Sequence, residues 1–550
     1  MFRPRVSTLA LLAFAAASLA SSQAPPSVRL DSATFIGNAS GVVTQFLGIP
    51  FALPPVGDLR LRLPQPNSPY TGVHNASAFG PACIQQIGQI SLPANLSPVT
   101  LQLLATSTLG APIVDSEDCL SINVVKPASA AASAKLPVLW IYGGGFETGA
   151  SSQSNGSVIV ERSIQLGQPV IYVSLNYRLS ALGFPGGVEA QKAGVGNLGL
   201  HDQRLALRWI QKYIHAFGGD PSKVTIWGES AGAISVALHL VTNGGNTEGL
   251  FRGAFMQSGS PIPVGPVAEG QPFYDALVAN ASCAAAKDTL QCLRKAPIDR
   301  LRTAINASPS SFGFHSLNLA WEPRVDGVFL KDDPQTLVLR NSVANVPLVS
   351  GDCDDEGTLF TLSSTNLTTD AAVRAYLAAN YFKSVPSADI DAILAAYPKD
   401  TAKGSPFDTG ADNAVTPQFK RLAALTGDLI FQAPRRFFLQ QRAGKQPVFS
   451  FLSKRFKTLP DIGSFHSSDV ALIYGPSDMT DYLIRFATHL DPNVGASADR
   501  SANFLWPRYT AAAPQMLTFL DGTVPLNITL DTYRAEGMAE LTRVVLAHPL

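Results

Sequence analysis

The amino-acid sequence predicts an α/β protein with a mostly parallel central sheet covered by helices on both faces. Three observations predict it. Short, continuous apolar runs recur along the chain without the polar alternation of a surface strand. A helical pattern lies between two of them. The chain also passes from one such run through Gly228-Glu229-Ser230-Ala231-Gly232 directly into a helix-forming stretch, residues 231–241. Runs lose alternation when both faces of a strand are buried, and strands interleaved with helices build layered sheets.

In chain order the runs are residues 136–142, 170–175, 224–227, 254–257, 346–350 and 448–452. The helical stretch 200–217 places Leu200, Leu207, Ile210 and Ile214 on one face, the spacing of an amphipathic helix. Phe217-Gly218-Gly219-Asp220-Pro221 then supplies a tight turn before the next run. In sheets of this kind, reactive groups collect at the carboxyl ends of strands.

The length of 550 residues would ordinarily make three or four domains. No Gly/Ser-rich or Pro-rich linker, charge block or internal repeat divides the chain, so the reading is one large domain, residues 21–550. Lys and Arg balance Asp and Glu, 41 against 41, with no basic tract, which argues against nucleic acid and anionic membrane surfaces as partners. Residues 1–20 read as a signal peptide: Arg3 and Arg5, an apolar stretch over 9–17, then Ser18-Leu19-Ala20. The stretch is too short to span a membrane, and the ending His548-Pro549-Leu550 has no hydrophobic tail. The mature protein is expected to be secreted, with no integral membrane segment. Sequons at Asn38, Asn75, Asn95, Asn155, Asn280, Asn306, Asn366 and Asn527 agree with that route.

A Gly-x-Ser-x-Gly at a strand-to-helix switch is a nucleophile elbow, and it makes Ser230 the candidate nucleophile. A neutral hydroxyl attacks poorly, so it needs a histidine base oriented by a carboxylate. The chain order Ser, acid, His removes His74, His201 and His215. Downstream, Gly351-Asp352-Cys353-Asp354-Asp355-Glu356-Gly357 follows the run at 346–350, and four carboxylates compete there. His466 lies in the small-residue loop Gly463-Ser464-Phe465-His466-Ser467-Ser468-Asp469, after the run at 448–452. Gly143-Gly144-Gly145-Phe146, directly after the run at 136–142, exposes backbone N–H groups with no side chains in the way. No metal is implied, since His-x-x-x-His and Cys-x-x-Cys spacings are missing. No dinucleotide fingerprint follows a first strand, so no cofactor is expected.

The stretch 217–232 resembles the serine signature of the type-B carboxylesterase/lipase family. Glu117-Asp118-Cys119-Leu120-Ser121-Ile122-Asn123-Val124 is similar to a second family signature. Further matches run from Phe46-Leu47-Gly48-Ile49-Pro50 to Trp506-Pro507-Arg508-Tyr509. The resemblance covers nearly the whole mature chain and implies an α/β-hydrolase fold with a lid loop. It selects Glu356 as the acid, His466 as the base, and the amides of Gly144, Gly145 and Ala231 as an oxyanion hole. It places Glu229 and Ser258 beside the triad as hydrogen-bonding residues, and leaves Asp352, Asp354 and Asp355 to cap or bond the turn. It also implies disulfides Cys83–Cys119 and Cys283–Cys292, with Cys353 free.

The loop between Cys83 and Cys119 corresponds to the family's lid or gorge loop. It is rich in leucine, at positions 92, 96, 101, 103, 104 and 109, and has no tryptophan. Cholinesterase relatives use a tryptophan there to hold a quaternary ammonium, so choline esters are not the expected substrate. The loop looks more like the lids of secreted fungal lipases and sterol esterases. The resemblance therefore implies a secreted hydrolase of hydrophobic esters, acylglycerols first and sterol or aryl esters next, working through an acyl-enzyme. When its lid opens, such an enzyme contacts a lipid interface. The rival is a non-catalytic adhesion protein on the same fold. Those relatives generally lack the serine.

Overall fold

The computed structural model describes residues 24–88, 92–107, 113–129, 136–494 and 504–550; the expected signal peptide, residues 1–20, lies outside them. Among the described residues the strands are β1 (Ser27–Leu30), β2 (Ala33–Ile36), β3 (Asn38–Ser40), β4 (Val43–Pro50), β5 (Val73–Asn75), β6 (Ser121–Pro127) and β7 (Pro137–Ile141). They continue as β8 (Ile171–Leu175), β9 (Thr225–Glu229), β10 (Gly253–Gln257), β11 (Leu348–Cys353), β12 (Val448–Lys454), β13 (Gln515–Leu520) and β14 (Leu526–Leu530). β1, β2 and β5 form a small sheet, and the other eleven form one sheet in the order β14-β13-β12-β11-β10-β9-β7-β8-β6-β4-β3. The run from β13 to β8 is parallel. β14 at one edge, and β6, β4 and β3 at the other, are antiparallel.

Every residue of β7 to β11 is buried. That requires cover on both faces, and it is why the matching sequence runs show no alternation. Helix Ala231–Val241 packs against β7, β9 and β10, and helix Gly156–Gln165 against β4, β6 and β8. Phe255 of β10 meets Phe486 of helix Asp478–His489 with ring centroids 6.0 Å apart. The six predicted runs are β7 to β12. The predicted helix 200–217 is an α-helix, Leu198–Tyr213, finished by the tighter turn Ile214–Phe217. Strands β1 to β6 and the pair β13–β14 are additions to the sequence reading.

Cys83 is bonded to Cys119 and Cys283 to Cys292, while Cys353 is a buried free thiol. Inside the first disulfide loop lies helix Pro98–Ser107; Leu109 falls outside the described residues. Leu96 and Leu104 are buried with Leu359, Leu362, Phe419 and Ile462, whereas Leu101 is 40% exposed. Polar contacts near this helix help to hold the loop down. The Ser97 N–H donates to Asp461 Oδ2 at 2.8 Å, Thr100 Oγ1 to the Pro460 carbonyl at 2.8 Å, and Asn95 Nδ2 to the Val415 carbonyl at 3.1 Å. Among the described residues no helix is long and apolar enough to cross a membrane.

Candidate active site

Ser230 stands between β9 and helix Ala231–Val241 with φ 53° and ψ −126°, a conformation that costs a non-glycine residue about 1–3 kcal/mol. The surroundings impose it. The Ser230 N–H donates to the Gln257 carbonyl at 2.9 Å, and the Ser230 carbonyl accepts from Ile234 N–H at 2.9 Å. The flanking glycines are required by close approach. A Cβ on Gly228 would lie 2.4 Å from the Gly232 backbone, and one on Gly232 would lie 2.0 Å from the Ile141 carbonyl oxygen. The turn therefore pushes Oγ clear of the chain while the helix starts tight against β7.

Three elements bring the sequence-predicted side chains together. His466 Nε2 lies 2.8 Å from Ser230 Oγ, and His466 Nδ1 lies 2.5 Å from Glu356 Oε2. Glu356 follows β11, and its other oxygen accepts from Ser258 Oγ and from the Cys353 N–H, both at 2.6 Å. Two donors thus hold one oxygen of the carboxyl group, and the other oxygen faces the histidine ring. Burial pushes Glu356 well above the usual carboxylate range, while the bonds from Ser258 and Cys353 pull it down. Burial also lowers the pKa of His466, and the facing carboxylates of Glu229, Asp469 and Asp352 oppose that shift. The ring is boxed by Phe431 and Phe360, with centroids at 4.6 and 5.1 Å.

Glu229 Oε1 lies 3.5 Å from His466 Nε2 and accepts from the Ser467 hydroxyl. Desolvation raises its pKa to about 7, against the pull of His466. Gly143 lies hard against the nucleophile: a Cβ there would come within 2.7 Å of Ser230 Cβ and of the Glu229 carboxylate. Gly144 and Gly145 follow with φ of 98° and 64°, the left-handed side that glycine adopts freely. The N–H groups of Gly144, Gly145 and Ala231 donate to no group among the described residues. Chemically, a hydroxyl with a base at hydrogen-bond distance stands beside three unpaired donors. Among the described residues no group of three or more His, Cys, Asp or Glu is placed to hold a metal ion.

The three aspartates of the acid turn do more than cap it. Asp352 pairs with the buried Arg435 at 2.8 Å and Asp354 with Lys457 at 2.5 Å. Asp355 ties three segments together. It accepts from Ser405 Oγ (3.0 Å), the Phe407 N–H (2.8 Å), the Ser464 N–H (2.8 Å) and Lys457 Nζ (2.7 Å). Since Ser464 lies in the histidine loop, Asp355 fixes the distance between that loop and Glu356.

Sequence reasoning also missed a polar chain behind the histidine. Trp227 Nε1 donates to Gln257 Oε1 at 2.6 Å, and Gln257 Nε2 donates to Asp469 Oδ2 at 2.8 Å. Asp469 lay in the quoted histidine loop, and Trp227 and Gln257 ended the runs at 224–227 and 254–257, but nothing in the sequence joined the three. Glu147, four residues after Gly143, was also missed. Its Oε2 accepts from the N–H and the hydroxyl of Ser311, both at 2.9 Å, while Oε1 is buried without a partner. Desolvation raises its pKa to about 8.

Comparison with known proteins identifies the family and the fold. The model of the carboxylesterase family matches residues 24–535. "Lipase 2" of Diutina rugosa is 45% identical over 521 residues, covering 92% of this chain and 93% of that one. "Secreted lipase 1" of Botryotinia fuckeliana (strain B05.10) is 42% identical over 510 residues, 89% of this chain and 88% of the relative. The crystal structure of Aspergillus niger EstA superposes with a TM-score of 0.79 at 28% identity, over 95% of this chain and 99% of that one. The mixed sheet, its helices and these matches make this an α/β-hydrolase fold, and the chain belongs to the carboxylesterase family.

Proposed function

We propose that this carboxylic-ester hydrolase cleaves hydrophobic esters through an acyl-enzyme on Ser230, with long-chain acylglycerols leading and sterol or aryl esters next. One observation carries the reading: the relay from Ser230 Oγ through His466 to Glu356, at 2.8 and 2.5 Å, beside unpaired amides. His466 Nε2 takes the hydroxyl proton as Oγ attacks the ester carbonyl. Nδ1–H, donated to Glu356, holds the tautomer that leaves Nε2 free and stabilises the imidazolium. The oxygen that becomes negative meets the N–H groups of Gly144, Gly145 and Ala231, each worth about 3 kcal/mol in the transition state. His466 then protonates the departing alkoxide. A water, deprotonated by His466, attacks the acyl-serine, and the acid leaves with Oγ reprotonated.

Helix Pro98–Ser107 is the candidate lid, seated by Leu96 and Leu104 over the turn that carries Ile462. Opening it would expose apolar surface to a lipid phase, at roughly 25 cal/mol per Å² on rebinding. Secretion, and a single catalytic domain over residues 21–550, belong to the same reading; two relatives are named as secreted. The test is organophosphate labelling of wild type and Ser230→Ala. It is joined to a hydrolysis profile over p-nitrophenyl esters of rising chain length, triolein and cholesteryl oleate. Wild-type turnover in Ser230→Ala would end the proposal, and a profile peaking at acetate would end the long-chain part of it.

A further inference from the structure

β14 is the outermost strand of the large sheet and pairs on one side only, with β13. Its span, Leu526-Asn527-Ile528-Thr529-Leu530, carries no charge, and apolar side chains around it face solvent: Val524 is 66% exposed and Leu530 52%. An open, uncharged, apolar edge is a template for pairing with another chain, and proteins normally blunt such edges with lysine, proline or a bulge. None of these lies within β14. Its sole polar punctuation is Asn527 and Thr529, which form a sequon.

Both residues line a groove of about 860 Å³. Its floor is one sheet face, where Thr518, opposite Asn527 in register, bonds Thr529 Oγ1 at 2.6 Å. Phe407, Leu520, Lys454 and Glu536 also line it, so it offers apolar faces together with donors and acceptors. At ~30 Å³ per water it is far larger than an ordered water or ion. Asn527 Oδ1 accepts the next residue's N–H at 2.8 Å, and Nδ2 makes no bond among the described residues. By contrast, Asn38 and Asn95 commit Nδ2 to carbonyls of Ser77 and Val415.

We infer that Asn527 is N-glycosylated and that the proximal sugars of its glycan occupy this groove, shielding the open edge of the sheet. The proposal rests on the secretory route proposed above. The bond forms between Nδ2 and the anomeric carbon of a lipid-diphosphate-linked oligosaccharide. Nδ2 loses a proton, and the lipid diphosphate departs with the electrons of the broken C–O bond. Transfer takes place on the extended chain, and closure of the groove then seats the sugar. A sugar has a polar rim and an apolar face, which matches walls that mix Phe407 and Leu520 with Lys454 and Glu536.

The test uses the full chain secreted from a glycosylating eukaryotic host. Peptide mapping should find glycan at Asn527 as well as at the exposed Asn280 and Asn366. An endoglycosidase that cuts between the two proximal N-acetylglucosamines should act at least about tenfold more slowly at Asn527 than at those two sites in native protein. After denaturation the rates should be equal. Asn527→Gln should associate with concentration in light scattering, while Asn280→Gln does not, and should keep short-chain ester turnover within about twofold. An unmodified Asn527 beside modified Asn280 and Asn366 overturns the proposal, as does equal native release. If all eight sequons are bare, the secretory reading has failed and this proposal falls with it. The release comparison is made on wild type, so it stands even where a variant fails to fold.

Discussion

Replacing Glu356 with Gln keeps the shape of the acid while removing its charge and its hold on the histidine tautomer. The side chain keeps its shape, but one oxygen becomes an NH₂ group. Oε1 faces two donors, the Ser258 hydroxyl and the Cys353 N–H, both at 2.6 Å. The peptide N–H has no alternative role, so the amide oxygen must stay on that side. The NH₂ then points at His466 Nδ1, 2.5 Å away in the native site. Nδ1 is forced to accept, which puts the ring proton on Nε2, facing Ser230 Oγ. A base already carrying a proton cannot take the serine's. Amide substitution of a triad acid with intact geometry costs about 10⁴ in kcat, equal to about 5.5 kcal/mol of barrier. Burst-phase kinetics on a soluble p-nitrophenyl ester should show that loss with the melting temperature nearly unchanged. A variant within tenfold of wild type would refute the argument, because the tautomer would then not be under the control of Glu356.

Local features of the site were legible, and long-range ones were not. The elbow could be read because strand, glycines and helix lie within about twenty residues, and steric demand at Gly228 and Gly232 is written into their identity. The buried strands β7 to β11 could be read because cover on both faces erases alternation. β3 and β5 have three residues each and exist only through their partners. β4 has a register shift between Phe46 and Ile49, so its burial follows no period of two. β13 was within reach, since its Met516-Leu517-Thr518-Phe519-Leu520 is nearly as apolar as the runs that were recognised. At the site, four clustered carboxylates could be located but not sorted without the resemblance. Which one reaches His466 depends on a loop more than a hundred residues away, and Asp355, its neighbour, turns to Ser405, Phe407 and Ser464 instead. The leucine-rich loop shows the same limit: composition flagged it, yet could not tell that Leu104 is packed and Leu101 exposed.

Gly232→Ala should fail to accumulate as folded protein, because its Cβ would sit 2.0 Å from the Ile141 carbonyl oxygen in a backbone-to-backbone contact that cannot relax. A secreted variant with a wild-type melting curve would contradict this. Glu147→Gln tests the buried, half-partnered carboxyl beside the glycine loop. Its folded pKa, about 8, lies above the ordinary 4.5, so its stabilising contribution is complete below pH 4.5 and declines as pH rises towards 8. The uncharged variant should therefore gain on wild type across that window, by on the order of a few kcal/mol, and a pH-independent difference in melting would refute the assignment. The lid is tested by separating its two leucines. Leu104 is buried against Ile462 and Leu359 in the seated position, so Leu104→Ser should remove about 2–5 kcal/mol of packing from the closed state alone. If that helix gates the site, soluble short-chain esters should be hydrolysed faster and the gain on adding an emulsion should shrink. Leu101 is 40% exposed while the helix is seated, so it contributes less to closure than Leu104. Leu101→Ser should therefore change soluble turnover less than Leu104→Ser does and weaken mainly the reaction at an interface. Equal losses by both variants on both substrates would mean that the helix is structural packing and opens nothing.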